Sequence, residues 1–326
     1  LIFSVLVETG IAVSAAPLNG ILLLDKPLGL SSNAALQRVR RLAGGVKAGH
    51  TGSLDPLASG MLPICLGEST RLAGELLEGR KGYRFTLLLG ERSDTGDAEG
   101  QIIERCAVPA LSAAHIEAVL RTFLGAQQQV PPMYSALKRE GRPLYELARQ
   151  GLTVQRTARA VHIERLQLLG WQDAELQLAV SCSKGTYVRV LAEDIARALG
   201  SCGRLASLRR EYVEPFQQEP MRSLEQLQEL TQRQEAWPLL PPDRAVGHLP
   251  PLHLSAVAAQ ALRHGRVLRL SEALATAGPA RSDAAIGGAP GSWRLYDEQG
   301  RFLGLGASDA SGQLAVRRLF ATPVIV

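Results

Sequence analysis

The hydrophobic and polar positions of the chain fall into short apolar runs and amphipathic stretches. Ile21-Leu22-Leu23-Leu24, stopped by Asp25-Lys26-Pro27, has the length and flanks of a buried strand. Ser31-Ser32-Asn33 then offers an N-cap, Leu36, Val39 and Leu42 recur at helical spacing, and Gly44-Gly45 ends the helix. After a loop from Lys47 to Gly60, the pattern predicts a strand over Met61–Leu66, a helix over Ser69–Leu77 and a strand over Tyr83–Leu89. Ser93 to Gly100 is a polar turn, and the chain pairs back from Ile102. The acidic residues of that turn lack the spacing of a calcium-binding EF-hand, so it reads as a plain loop. Leu111–Phe123 is amphipathic and opened by Ser112. Strands return at Ala160–Leu168 and Leu176–Cys182, and Thr186–Leu199 carries a strand end into a helix closed by Gly200. Ser223-Leu224-Glu225-Gln226 is a capping box that opens another helix.

This order lacks the regular strand-helix-strand rhythm of a doubly wound sheet. It predicts an α+β fold, with a mixed, mainly antiparallel sheet and helices on its faces. Residues 1–19 read as an N-terminal extension: the apolar stretch Leu1–Val7 has no positive charge ahead of it and Glu8 interrupts it, unlike a signal peptide. Residues 20–237 read as the main domain, with a long excursion at 125–152. The Pro-rich stretch 238–251 reads as a linker. Residues 252–326, with short strands, Gly turns and an excess of Arg, are long enough for a small β-rich module.

Composition narrows the classes. The 326 residues are 46% hydrophobic and 21% charged, which excludes collagen-like and wholly disordered chains. No uninterrupted run of about 18 apolar residues occurs, so no helical membrane span is expected. Lys plus Arg exceeds Asp plus Glu, 36 against 31, a weak pointer to a polyanionic partner. Cys65, Cys106, Cys182 and Cys202 make no CxxC pair, which argues against a zinc ribbon or a thioredoxin-type site. Four scattered cysteines in a chain this long read as reduced thiols of a cytoplasmic protein.

The most informative stretch is Gly49-His50-Thr51-Gly52-Ser53-Leu54-Asp55-Pro56-Leu57-Ala58-Ser59-Gly60-Met61-Leu62-Pro63. It is a Gly-punctuated loop that presents one His and one carboxylate. Pro56 offers no N–H and pushes Asp55 toward an extended backbone, so the carboxylate can project into a cleft or merely shape a turn. A zinc nucleobase deaminase would need H-x-E with P-C-x-x-C, and a P-loop would need G-x-x-x-x-G-K-[ST]; neither is present. A glycosidase needs two carboxylates about the scissile bond, and this loop holds only Asp55.

With Gly20–Pro27, Ala48–Pro63, Val130-Pro131-Pro132-Met133-Tyr134-Ser135-Ala136-Leu137-Lys138 and Ser183-Lys184-Gly185-Thr186-Tyr187-Val188-Arg189, the chain resembles the bacterial tRNA pseudouridine synthase B family. The resemblance runs in order from about Gly20 into the tail. It implies the pseudouridine synthase fold with a C-terminal β-barrel of the PUA type, and isomerisation of the uridine at position 55 in the tRNA T-loop. That reaction breaks the C1′–N1 bond, turns the base and joins C5 to C1′. Nothing is oxidised and no water is consumed, so no cofactor is expected and a single carboxylate suffices.

The resemblance assigns that carboxylate to Asp55, and to Arg189 the role of holding it ionised and aimed. Tyr83 would pack on the uracil face and take part in proton transfer from C5. Tyr187, two residues from Arg189 on an expected strand, would share its face. Leu208 would line the uracil pocket, His50 would enter the loop vacated by the extruded base, and Lys26 would support the active-site loop. The excursion would act as a thumb over the T-arm, with Lys138 and Tyr145 among its RNA contacts. In the tail, Arg263, Arg266, Arg269, Arg317 and Arg318 would form the basic surface of a module approaching the acceptor end. The expected partner is therefore tRNA, with no membrane, no obligatory protein partner and a monomeric enzyme. The alternative is a tRNA-folding chaperone whose chemistry is secondary. A guide-RNA-directed relative is disfavoured by the thumb-like excursion.

Overall fold

The computed structural model describes residues 18–139, 141–275 and 290–324. Most of the N-terminal extension and part of the tail lie outside the described residues.

The chain opens with β1 (Gly20–Lys26), α1 (Ser32–Leu42), β2 (Ala48–His50), β3 (Ala58–Leu66), α2 (Ala73–Glu78) and β4 (Lys81–Leu89). A hairpin of β5 (Glu91–Ser93) and β6 (Ile102–Arg105) leads to α3 (Ala113–Thr122) and β7 (Gly125–Gln129). The excursion then holds β8 (Lys138–Arg139), β9 (Arg142–Pro143) and α4 (Leu144–Arg149). β10 (Arg159–Gln172), β11 (Glu175–Cys182), α5 (Val188–Ala198), β12 (Gly203–Val213) and α6 (Leu224–Gln232) follow. The C-terminal part comprises β13 (Pro251–His253), α7 (Ala256–Arg263), β14 (Leu268–Arg269), α8 (Leu270–Ala275), β15 (Gly291–Tyr296), β16 (Phe302–Ser308) and β17 (Gln313–Val324).

The main sheet runs β1-β3-β12-β4-β11-β10-β7, with β2 paired to β3. Every pairing is antiparallel except β12 with β3, so the sheet is mixed and mainly antiparallel as expected. The single parallel contact is where the site is built. There Arg210 lies opposite Gly60, whose φ is +100° and where a Cβ would stand 2.2 Å from the Arg210 carbonyl oxygen. Only glycine tolerates both the positive φ and the close approach.

Two apolar clusters occupy one face. One packs Leu22, Leu24, Leu62 and Ile64 against α1 and α6. The other packs Phe85, Leu87, Leu178 and Leu205 against α3 and α5. On the opposite face Ile21, Leu23, Met61 and Cys65 share a core with Tyr296, Phe302, Leu305 and Phe320 of the C-terminal sheet. That sheet, β13-β15-β16-β17-β14, curls into a half-barrel, consistent with the PUA type. Residues 238–251 pack rather than hang: Leu240 exchanges two 2.8 Å backbone hydrogen bonds with Ile21, and Pro242, Ala245 and Val246 are buried. In the tail, Arg317 lies 3.8 Å from Glu75 and Arg318 donates to the Arg71 carbonyl, so both turn toward the main domain.

Two expectations need correction. The single helix over Ser69–Leu77 is a 3-10 turn (Gly67–Leu72) followed by α2, with the Thr70 hydroxyl bonded to the Gly67 carbonyl in competition with the α-helical ladder. The four cysteines are not all thiols: Cys106 and Cys202 form a disulfide, 96 residues apart in sequence, while Cys65 and Cys182 are free and buried. Backbone bonds from Cys106 N to Gly90 O and from Gly90 N to Cys202 O bring the two together. No helix among the described residues is long and apolar enough to cross a membrane.

Candidate active site

The loop between β2 and β3 carries Asp55 into a cleft of about 430 Å³, within the range of small-molecule pockets. Ser31, Ser32 and Asn33 at the start of α1 line one wall, Thr95, Asp97 and Glu99 another, and Tyr134, Ser135, Tyr145 and Arg149 of the excursion form a third.

Local hydrogen bonds fix the loop. The Ser32 hydroxyl donates to the Leu54 carbonyl at 3.1 Å and accepts from the Leu54 N–H at 2.7 Å, tying the residue before Asp55 to the start of α1. Ala58 N–H returns to the Asp55 carbonyl at 3.0 Å, closing the turn about Pro56, and Gly29 N–H donates to the Pro56 carbonyl at 2.8 Å. Lys26 is fully buried. Its Nζ donates to the carbonyls of Pro27 and Leu30, and burial lowers its pKa to about 8 against the opposing pull of Asp55.

Arg189 Nη2 lies 2.9 Å from Asp55 Oδ2. The guanidinium is itself aimed: Nη1 donates to the Thr95 carbonyl at 2.9 Å, Nη2 to the Tyr134 carbonyl at 2.6 Å, and Asp97 Oδ2 stands 3.6 Å from Nη1. One buried cation thus serves two carboxylates. The Asp55 side chain remains 42% exposed toward the cleft, whereas that of Asp97 is 4% exposed. Burial pushes the Asp55 carboxyl above the usual carboxylate range, Arg189 opposes this, and Asp97 adds to it.

Asp97 was not expected from sequence, because its turn reads as a plain polar loop. The structure corrects that: the turn folds over Arg189, and the Asp97 carboxylate accepts from Thr95 Oγ1 at 2.6 Å and from Glu99 N–H at 3.1 Å. A second correction concerns Tyr187 and Arg189, which do not lie on a strand. Gly185, at φ +79°, turns the chain so that Tyr187 caps α5 and Arg189 sits in its first helical turn. Gln129 of β7 bonds both backbone groups of Tyr187, at 3.0 and 3.4 Å, which holds that helix start in place.

His50 and Tyr145 line the same cleft as Asp55. Burial and the charge of Arg210 hold the His50 imidazole below its ordinary pKa, and its Nδ1 is buried without a hydrogen-bond partner among the described residues. Arg149 stacks over the Tyr145 ring at 5.6 Å. Tyr83, on β4, is raised in pKa by burial, with Arg210 opposing. Leu208 packs beside Phe85 and Leu54 and lines a smaller cavity with Phe85 and Leu178. Lys138 faces a different hollow, shared with Arg156 and Arg159 at the base of the excursion.

Residues 40–188 match the family model described as TruB family pseudouridylate synthase, N-terminal domain. Residues 189–246 match the model described as tRNA pseudouridylate synthase B C-terminal domain, and residues 250–320 the one described as pseudouridine synthase II TruB, C-terminal. The chain is 48% identical over 306 residues to tRNA pseudouridine synthase B of Chromohalobacter salexigens, covering 94% of this chain and 95% of that one. It is 48% identical over 304 residues to that of Aromatoleum aromaticum, covering 93% of each. Among solved structures, the backbone is similar to a Cbf5-Nop10-Gar1 complex with a TM-score of 0.67 at 23% identity, over 92% of this chain and 84% of that one.

Proposed function

The chain belongs to the TruB family of pseudouridylate synthases, and on that premise we propose that it converts uridine to pseudouridine in tRNA, at position 55 of the T-loop. The observation that carries this reading is the Asp55 carboxylate, 2.9 Å from a buried guanidinium and open to a cleft of nucleoside size.

A T-loop uridine is stacked and must be extruded before any group can reach C1′, which costs a few kcal/mol. In this reading His50, neutral and with an unpaired Nδ1, enters the space the base leaves. Asp55 acts on the ribose, by attack at C1′ or by promoting elimination, and the N1–C1′ electron pair leaves with uracil. Arg189 stabilises the carboxylate until that moment and is held by Thr95, Tyr134 and Asp97, so no reorganisation is needed. The base turns against Tyr83 and Leu208 and C5 bonds to C1′, which displaces the Asp55 carboxylate on the attack route or is accompanied by return of the C2′ proton on the elimination route; the C5 proton then departs, its electron pair restores the ring double bond, and N1 takes up a proton. No electrons or atoms are exchanged with another substrate, so no cofactor is required.

The thumb, with Lys138 and Tyr145, is assigned to the T-arm and the C-terminal half-barrel to the acceptor end. The enzyme is assigned to the cytoplasm, on its tRNA substrate rather than on its cysteines, two of which are bridged, and as a monomer that needs no obligatory protein partner. Release of C5 tritium from a labelled T-arm hairpin by the purified chain tests the activity. Asp55→Asn should abolish release while tRNA binding survives. Full activity in that variant removes Asp55 from the chemistry, and no release by the unaltered protein removes the function.

A further inference from the structure

Arg210 is the largest fully buried side chain among the described residues, 1% exposed, and it bonds to carbonyl oxygens rather than to a carboxylate. A lone buried cation is costly, since an ion taken from water needs compensation for several kcal/mol of lost hydration. A core Leu or Met would fill the volume without that cost. What the guanidinium has that they lack is five N–H donors in a rigid fork.

Those donors join separate parts of the site. Nε donates to the Met61 carbonyl of β3 at 2.7 Å, and Nη2 donates to the Gly52 carbonyl of the catalytic loop at 2.9 Å. Gly52 is at φ +72°, and a Cβ there would lie 3.4 Å from Nη1, so the loop backbone rests on the fork. Across the sheet Arg210 is the direct antiparallel partner of Tyr83 on β4, and its charge bears on that phenol. The same charge bears on His50 and Lys26.

We propose that Arg210 is a positioning residue: its guanidinium locks the Gly52 end of the catalytic loop to the Tyr83 side chain across β12, so that the carboxylate and the aromatic ring meet the nucleoside on one rigid frame. This rests on the synthase reading above. It goes beyond the Asp55–Arg189 pair, which Arg210 does not touch. Lys in its place keeps the charge and loses the fork.

A double-mutant cycle on full-length protein tests it, with single-turnover C5 tritium release and tRNA affinity measured for Arg210→Lys, Tyr83→Phe and the pair. Arg210→Lys is expected to slow release by about 10- to 100-fold, the penalty of misplacing reacting groups by about an ångström, while tRNA affinity stays within about threefold. In the Tyr83→Phe background the same substitution is expected to cost less than about threefold, because coupled residues are not additive. Arg210→Gln, neutral and shorter, should behave as Arg210→Lys does and serves where the lysine variant folds poorly. An equal loss in both backgrounds identifies a purely structural arginine and overturns the proposal, as does an unchanged rate in Arg210→Lys. Absence of tritium release from the unaltered chain is a different failure, that of the synthase reading itself.

Discussion

Ser32→Ala deletes a single oxygen in the first turn of α1, yet that oxygen is what holds the residue before Asp55. Ser32 is 4% exposed and Leu54 6% exposed, so water does not replace the lost partner freely. The substitution leaves the Leu54 N–H, now bonded at 2.7 Å, and the Leu54 carbonyl, bonded at 3.1 Å, without the hydroxyl. An orphaned buried backbone group costs about 1–3 kcal/mol, and the second, weaker bond adds about 1 kcal/mol. The loop is therefore destabilised by about 2–4 kcal/mol. If the loop relaxes to recover hydration, Asp55 leaves its place beside Arg189, and about 2–3 kcal/mol of lost preorganisation corresponds to a fall of about 30- to 150-fold in the chemical step. The affinity for tRNA should hold within about threefold, because Ser32 contributes no charge to phosphate binding. Single-turnover C5 tritium release against enzyme concentration separates the two quantities. Ser223→Ala is the control: it removes a capping hydroxyl, which accepts from Gln226 N–H at 3.2 Å and does not line the cleft. It should cost about 1 kcal/mol of stability and no rate. Ser32→Thr, which restores the oxygen, should recover most of the activity. Wild-type single-turnover rates in Ser32→Ala would refute the claim that this hydroxyl orders the catalytic loop.

Burial raises the Asp55 carboxyl above its ordinary value, and the proposed mechanism needs it ionised, so the acid limb of the single-turnover pH profile should lie above the ordinary aspartate range. Arg189→Met removes the main opposing charge and should move that limb further toward neutral; a limb that stays put separates the guanidinium from the titration. The same shift has a stability sign. A raised folded-state pKa means that the ionised form costs folding energy as pH rises through that pKa, so Asp55→Asn should melt above the parent at neutral pH. The gap should close in acid, below the ordinary carboxylate pKa, which thermal melts at several pH values can read. Gly60→Ala forces a Cβ to within 2.2 Å of the Arg210 carbonyl at φ +100°, and should lose more than about 3 kcal/mol in urea titration, strain and clash together. An unchanged midpoint there contradicts the β3–β12 register. Reducing Cys106–Cys202 opens a closure of 96 residues, for which loop entropy allows up to about 4–5 kcal/mol, so melting should fall on adding a reductant. Equal melts with and without reductant show that the bridge adds no stability.

Much of the catalytic sheet is written locally. β1 is an apolar run stopped by Pro27, and α1 is capped by Ser31, whose hydroxyl accepts from Ala34 N–H at 3.1 Å, as its sequence promises. What stays hidden is structure that exists only through distant partners. Gly125-Ala126-Gln127-Gln128-Gln129 has no alternation of apolar residues, yet it is β7, because its backbone pairs with Arg159–Ile163 at the sheet edge. β3 begins at Ala58, three residues before the apolar run at Met61, because parallel pairing with Leu208–Arg210 recruits Ala58-Ser59-Gly60. The disulfide is invisible for the same reason: neither cysteine has a neighbour in sequence that marks it, and the backbone bonds through Gly90, with the Ser201 hydroxyl on the Ala107 carbonyl, bring them together.

The site divides along the same line. Asp55 is legible because a Gly-rich loop with Asp-Pro is an unusual way to spend fifteen residues, and Arg189 because it closes a second specific motif. Asp97 belongs to a polar turn that would look the same in solvent. Its burial is imposed by α5, whose first turn sends Arg189 between the Asp97 and Asp55 carboxylates, 3.6 and 2.9 Å away. A carboxylate so placed prevents Arg189 from collapsing wholly onto Asp55, and it raises the Asp55 pKa as Arg189 lowers it. On the proposed mechanism, the arrangement trades some ionisation of Asp55 for a guanidinium held in place while that carboxylate engages the ribose. No pattern of residue types along the chain carries that trade, because it depends on three side chains drawn from three unlinked segments and on the burial of two of them, Arg189 and Asp97.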